Sequence, residues 1–290
     1  MISPLVRRQR LATELIRLRN EHAYSSARLA AEIGVSRQRI SELENGNVVP
    51  NLDLLGKVLR LFDITEQQQR QIMTIADEAR ERGWWATYAE EMGTRQALYA
   101  NLEAGASEIR EYQMVYLPGL LQIPSYTEVR VLTDRADGAT YSHTRALEAR
   151  AGRQQVLERP GGPTYEVVID ELAIRRFAAP APVIIDQLDH LVHAGHERQN
   201  VTIRVLPLAA RIHQHAVPRT AFFTYRYPDP NDPVVVAVDT VTDDLVLTEE
   251  PGVRRYLELY GKLQDASLSA ADSLDFLAAT AEEIRRNRNE

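Results

Sequence analysis

Through roughly the first sixty positions, apolar residues return every three or four places, the spacing of one face of a helix. Leu11, Leu15 and Leu18 in RLATELIRLRNEH, ringed by Arg7, Arg8, Arg10, Arg17 and Arg19, predict an amphipathic first helix. YSSARLAAEIG predicts a second: Ser25 or Ser26 caps it, Leu29 and Ile33 face inward, and Gly34 supplies the left-handed residue that ends it. Ser36 caps a third, with Ile40 and Leu43 inside and Asn45-Gly46 at its end. Pro50 and Asn51 start a leucine-rich fourth, NLDLLGKVLRLF. Thr65-Glu66 opens a fifth, EQQQRQIMTIADEARERG, which Gly83 is expected to close.

Beyond residue 83 the period changes. IREYQMVYL, TYEVVIDE, VTIRVLPL, RTAFFTYRY and VVVAVDTV read as strands, whereas PAPVIIDQLDHLVHAG, EPGVRRYLELYGKLQDA and SAADSLDFLAATAEEIRRNR read as helices. The expectation is a multi-domain chain with an all-α head over 1–64, a connecting helix over 65–83 and an α/β (α+β) body over 84–290. The strand order stays open, because single helices between short strands fit several topologies.

Charge sharpens that division. The chain carries a net charge of -7, yet residues 1–62 hold ten Lys or Arg against six Asp or Glu, about +4, and the remainder holds 24 against 35, about -11. A basic head on an acidic body suits a protein in which one part meets phosphates and the other does not. The third helix shows how. At about 100° per residue, Ile40 and Leu43 mark the buried side, and Gln38, Ser41, Glu42 and Asn45 point away from it, flanked by Arg37 and Arg39. Gln pairs with adenine, Arg with guanine, and Glu accepts from cytosine. Cations in the first turn of an isolated helix are unfavourable by about 0.3 to 1 kcal/mol each; beside DNA phosphate they become favourable.

At these residues the chain resembles the lambda-repressor-like helix-turn-helix of the Xre family, on Ala30 where two helices cross, Gly34 in the turn, Ile40 and Leu43 in the core, and the closing LENG of residues 43 to 46. The resemblance implies that Arg37, Gln38 and Glu42 read base edges in the major groove, with Ser41 on the same face. It also implies that Ser25, Ser26, Asn45 and Gly46 touch the DNA backbone. Arg39, on the flank, is expected at a phosphate. The body resembles an antitoxin-like domain of unknown function that follows an Xre-type head in actinomycete regulators. The resembling pieces are RGWW (82–85), YLPGLLQIPSYT (116–127), VRVL (129–132), VTIRVLPL (201–208), VRRYLELYGKL (253–263) and ASLSAADSLDFL (266–277). This implies a transcription regulator, often encoded beside a small partner protein.

Other chemistry is mostly excluded. With no Cys there is no disulfide, thiolate metal site or cysteine nucleophile. His190, His193 and His196, with His213 and His215, could suggest a metal, but Gly195 is expected to break the helix before His196 and no HExxH accompanies them. Asp170, Glu171 and Asp239 sit at strand ends, where solvation explains them. No phosphate loop or nucleophile elbow is present, so neither an enzyme nor a cofactor is expected. Trp84, Trp85, Tyr112, Tyr116 and Tyr126 cluster near the junction and the first strand of the body, where packing of the core and the domain junction competes with lining for a pocket or a protein interface. No segment is apolar enough to span a membrane, and MISPLVRRQR reverses a signal peptide, so a cytoplasmic protein is expected. The partners expected are double-stranded DNA with a pseudo-palindromic operator, a second copy of the chain, and a small partner protein or small-molecule effector. The alternatives are an antitoxin-like protein that binds a partner and autoregulates its operon, and an enzyme with a DNA-targeting head.

Overall fold

A computed structural model describes residues 2–133, 142–240 and 244–288. Five helices build the head: α1 (Pro4–Glu21), α2 (Ser26–Ile33), α3 (Arg37–Glu44), α4 (Leu52–Leu61) and α5 (Glu66–Glu78). Each begins at a side chain that accepts a backbone N–H of the first turn, namely Ser3, Ser25, Ser36, Asn51 and Thr65, the last in a capping box with Gln68. Leu11, Leu15, Leu29, Ile40, Leu43 and Leu55 meet in one core, where full burial of such a side chain stabilises by about 1.5–3 kcal/mol. The fifth helix stops at Ala79, short of the Gly83 expected to close it. Gly83 serves a neighbour instead. A Cβ there would lie 2.1 Å from the Trp85 ring, so the missing side chain makes room for the indole.

The body mixes a sheet with helices. Its elements are α6 (Ala89–Glu103), β1 (Glu108–Gln113), α7 (Pro124–Thr133), α8 (His143–Gln154), β2 (Thr164–Asp170), α9 (Glu171–Arg175) and α10 (Ala181–Glu197). They continue with β3 (Val201–Leu206), β4 (Phe222–Arg226), β5 (Val235–Val238), β6 (Leu245–Leu247), α11 (Glu250–Ala266) and α12 (Ala270–Asn287). Val241, the last residue of the expected strand VVVAVDTV, lies outside the described residues. The six strands form one sheet in the order β3-β2-β1-β4-β5-β6. β1, β2 and β3 run parallel, whereas β4 pairs antiparallel with β1, as do β5 with β4 and β6 with β5. Strand β1 therefore sits at a switch point, with the chain crossing over to β2 and β3 on one side and returning as β4 on the other.

Alternation along the strands sends side chains to two unequal layers. Ile109, Tyr165, Val167, Ile203 and Phe223 pack beneath α6, α7, α10 and α12, while Tyr112, Val168, Phe222 and Val236 pack against α11. No helix among the described residues is long and apolar enough to cross a membrane.

Head and body meet through α1. Its C-terminal half belongs to the head core, but Val6 in its first turn is buried in the core of the body. Ser3 Oγ donates to Asn101 Oδ1 of α6 at 2.8 Å. Arg7 reaches Glu78 of α5 and Asp232 of the β4–β5 loop, each at 2.8 Å, and Arg10 bonds Asp229 of that loop. One helix thus serves two cores.

Candidate nucleic-acid interface

The α2–turn–α3 unit is set by four small residues. Ser25 Oγ accepts the N–H of Arg28 at 3.1 Å and fixes the start of α2. Ala30, 3% exposed, lets the helices cross closely, and its carbonyl accepts the N–H of Val35 at 3.0 Å. Gly34 takes a φ of 71°, the left-handed conformation that side chains resist. Ser36 then caps α3 through the N–H of Arg39.

Ile40 and Leu43 turn α3 inward, at 1% and 5% exposure. Arg37, Gln38, Arg39, Ser41 and Asn45 are exposed and Glu42 is half-buried, the outward face expected from the 100° spacing. Gln38 Nε2 donates to Glu42 Oε1 at 2.8 Å, so two of these side chains are held together one turn apart. Asn45 Nδ2 reaches Ser41 Oγ at 3.4 Å. Arg17, Arg19 and Arg28 each face a carboxylate; among the described residues, Arg37 and Arg39 take part in no ion pair. Two cations therefore stand at the helix end that already carries partial positive charge.

Ser26 and Gly46 are placed differently from their neighbours. Ser26 is inside the first turn of α2, where its Oγ donates to Glu44 Oε2 at 3.0 Å. The other oxygen of Glu44 accepts Nε of Arg19. Gly46 is buried with a φ of 63°, and a Cβ there would lie 2.9 Å from the Arg8 carbonyl oxygen. It fits the end of the motif against α1.

Most other candidate residues are accounted for by packing. Gly195 lies inside α10 and does not break it, so His190, His193 and His196 share one continuous helix. A single glycine costs a helix about 1 kcal/mol, which the packing of α10 outweighs, and the absent Cβ leaves room for Leu274 of α12. Burial lowers the pKa of His190, with Arg198 and His193 adding to the effect. No group of three or more His, Asp or Glu side chains placed to hold a metal occurs among the described residues. Asp170 caps α9 through the N–H of Leu172 and accepts the Tyr112 hydroxyl at 3.0 Å. Glu171 pairs with Arg175 and accepts the N–H of Leu208, while Asp239 pairs with Arg95 at 3.0 Å.

The five grouped aromatics separate, because only Tyr112 lies on β1 and the others come from the segment before α6, the loop after β1 and α7. Trp85 joins a small core with Met92 and Ala100, Tyr112 lies beneath α11, and Tyr126 is fully buried beside Leu117. Trp84 rests on Gly152 and, with Tyr88, lines an apolar cavity of about 540 Å³. Tyr116, 39% exposed, stacks under the Arg130 guanidinium, 4.1 Å from ring centre to carbon.

A polar cavity of about 110 Å³ lies at the carboxyl end of β1, where no sequence pattern marks it. Glu111 and Gln113 of β1 form its floor, the loop of Leu117, Gly119 and Gln122 one wall, and Arg130, Arg150 and Arg153 of α7 and α8 another. Glu111 is fully buried. Its carboxylate accepts Gln113 Nε2 at 2.8 Å and the Tyr165 hydroxyl at 2.5 Å, and burial pushes its pKa up to about 7 in spite of these bonds. Arg153 bonds Glu103 through Nε and Nη2 and Gln96 through Nη1. The loop is pinned by Gln187, which accepts the N–H of Ile123 and donates to the Leu121 carbonyl, each at 2.8 Å. The periodicity of IREYQ places Glu111 on a strand, but its burial is created by helices far away in sequence.

Two family models match the chain. One described as Helix-turn-helix covers residues 15–69, and one described as Domain of unknown function (DUF5753) covers residues 96–279. No curated protein and no solved structure matches it.

Proposed function

The chain belongs to the family described as Domain of unknown function (DUF5753), behind an Xre-type helix-turn-helix that marks a DNA-binding regulator, and from that premise we propose how it reads DNA and what the body adds. Helix α3 enters the major groove. Arg37, Gln38, Ser41 and Glu42 meet base edges, while Arg39 meets a phosphate and Ser25, Ser26, Asn45 and Gly46 border the backbone. Ser26 and Gly46 act there through the shape of the turn. The body joins two copies so that two heads face half-sites a whole number of helical turns apart, about 34 Å per turn, and it receives the signal.

The observation that carries this reading is the exposed polar face of α3, with Arg37 and Arg39 free of ion pairs among the described residues where the helix dipole disfavours cations. DNA phosphate supplies the anion that placement lacks. Selection on randomised duplex, followed by footprinting and light scattering of the complex, tests it. A pseudo-palindromic motif bound by two chains is expected, with log affinity falling linearly in log salt at about 0.9 per neutralised phosphate. Binding that is independent of salt, or a single chain on DNA at saturation, would refute it.

A further inference from the structure

Helices α6 and α8 face each other through small side chains, and the space those side chains leave unfilled is the apolar cavity of about 540 Å³. Ala100 and Ala104 of α6 and Ala151 and Gly152 of α8 line it. Trp84 and Tyr88 close it from the segment before α6, with ring centres 6.0 Å apart and planes at 71°. Both rings are half-buried. A Cβ on Gly152 would lie 2.9 Å from the Trp84 ring, so the indole rests on bare backbone. Two aromatic rings over an apolar hollow offer a flat molecule a large area from which water is displaced favourably. The volume falls in the range of about 300–1,000 Å³ usual for small-ligand sites.

The charges on the lining do not all balance. Glu103 and Arg153, both buried, neutralise each other through two hydrogen bonds. Glu148 is exposed on α8. Arg159, just beyond α8, is half-buried and faces no carboxylate in an ion pair among the described residues. Its Nη2 donates to the Ala106 carbonyl at 3.4 Å, and its Nη1 is buried with no acceptor. Burial lowers its pKa, and no neighbouring charge opposes that shift. A cation drawn out of water without a counterion is costly, and an anion beside it offsets that cost.

We propose that this cavity binds a small aromatic monocarboxylate, its ring against Trp84 and Tyr88 and its carboxylate turned toward Arg159. A single charge suits the site, because Glu148 also lines it and disfavours a second. This is the ligand class for the signal that the regulator reading leaves open, and it rests on that reading only for its effect at DNA. The path toward the head is short. Trp84 meets Trp85 edge to face at 6.1 Å, and Trp85 shares a cleft with Pro4 and Arg8 of α1 and Asp77 of α5. A molecule seated against Trp84 therefore bears on the segment that follows α5 and faces the start of α1.

The test is calorimetric titration of 1-naphthoate, and of 1-naphthalenemethanol as a similar ring without the charge, into the full chain without DNA at neutral pH. One site per chain is expected, with the carboxylate bound about tenfold more tightly than the alcohol, the gain of one charge-assisted contact. Arg159→Gln should remove that preference while the alcohol binds as before. Ala151→Phe, at an exposed position on the cavity wall, should fill the space and abolish binding of both while the melting temperature holds. Absence of saturable binding by 1-naphthoate, a carboxylate bound no more tightly than the alcohol, or binding unchanged in Ala151→Phe overturns the proposal. DNA selection on the chain without either compound stands apart from these results, so the loss of one reading is not the loss of the other.

Discussion

Two acidic residues show how differently a carboxylate can serve this chain. Glu44 joins α1 to α2 by accepting from Arg19 and Ser26, so Glu44→Ala should cost the head about 1–3 kcal/mol through donors left without a partner while leaving the selected DNA motif unchanged. Gln38→Ala should do the reverse: no change in melting temperature and a relaxed preference at one base pair, worth about 1–3 kcal/mol. Loss of Arg39 should instead weaken all sequences alike and reduce the salt slope by about one unit. Binding selections and melting curves on the three variants separate these outcomes. Glu111 acts on stability through protons. Its folded pKa, about 7, lies above the 4.5 of an ordinary Glu, so the folded form holds the proton more tightly. That contribution is complete below pH 4.5, declines as pH rises, and is gone above about 7, an amount on the order of 3 kcal/mol. Urea midpoints for Glu111→Gln should show that slope removed.

Among the elements, the two left-handed glycines of the motif make a controlled pair. Gly34 has open space where a Cβ would go, so Gly34→Ala should cost only the left-handed penalty, about 1–2 kcal/mol. Gly46→Ala adds contact with the Arg8 backbone and should cost more, which denaturant midpoints of the two variants will rank. The sequence made this region legible because capping residues and leucine spacing act locally. Helices α10, α11 and α12 were legible for the same reason. Helices α6 and α8 were not: Gly93, with a φ of 64°, interrupts α6, and the buried positions of α8 are Ala146, Ala149 and Arg153, too small or too polar to mark a period. The strands β2 and β3 were readable from their Val and Ile. Their order was not, since β1 pairs with β4, and Glu108 lies opposite Arg226 through a contact no local pattern encodes. The polar outward face of α3 was visible because it needs only one helix; the cavity beside Glu111 was hidden because it needs a strand, a loop and three helices.

At the scale of the molecule, the acidic loop between β4 and β5 holds α1 against the body. The Arg10 guanidinium, with the N–H of Asn231, draws the Asp229 carboxyl down to about 2. Asp232 has the same arginines near it but is buried more deeply, and desolvation pushes its pKa up instead. The support from Asp229 is therefore present above the ordinary carboxylate range and lost as pH falls toward 2. Asp229→Asn should speed amide hydrogen exchange in residues 4–10 while the head core keeps its protection. The same contact also imposes an order on synthesis. Arg7 and Asp232 are 225 residues apart, and at about 5–20 residues per second a ribosome takes roughly 11 to 45 s to travel from one to the other. In that interval the emerging head can close its own core around Leu11 and Leu55, while Arg7 and Arg10 wait for Asp232 and Asp229, which are not yet made. Helix α3 is thus finished well before the loop that will hold α1, and a nascent chain halted midway carries a complete α3 on a first helix still loose at its beginning.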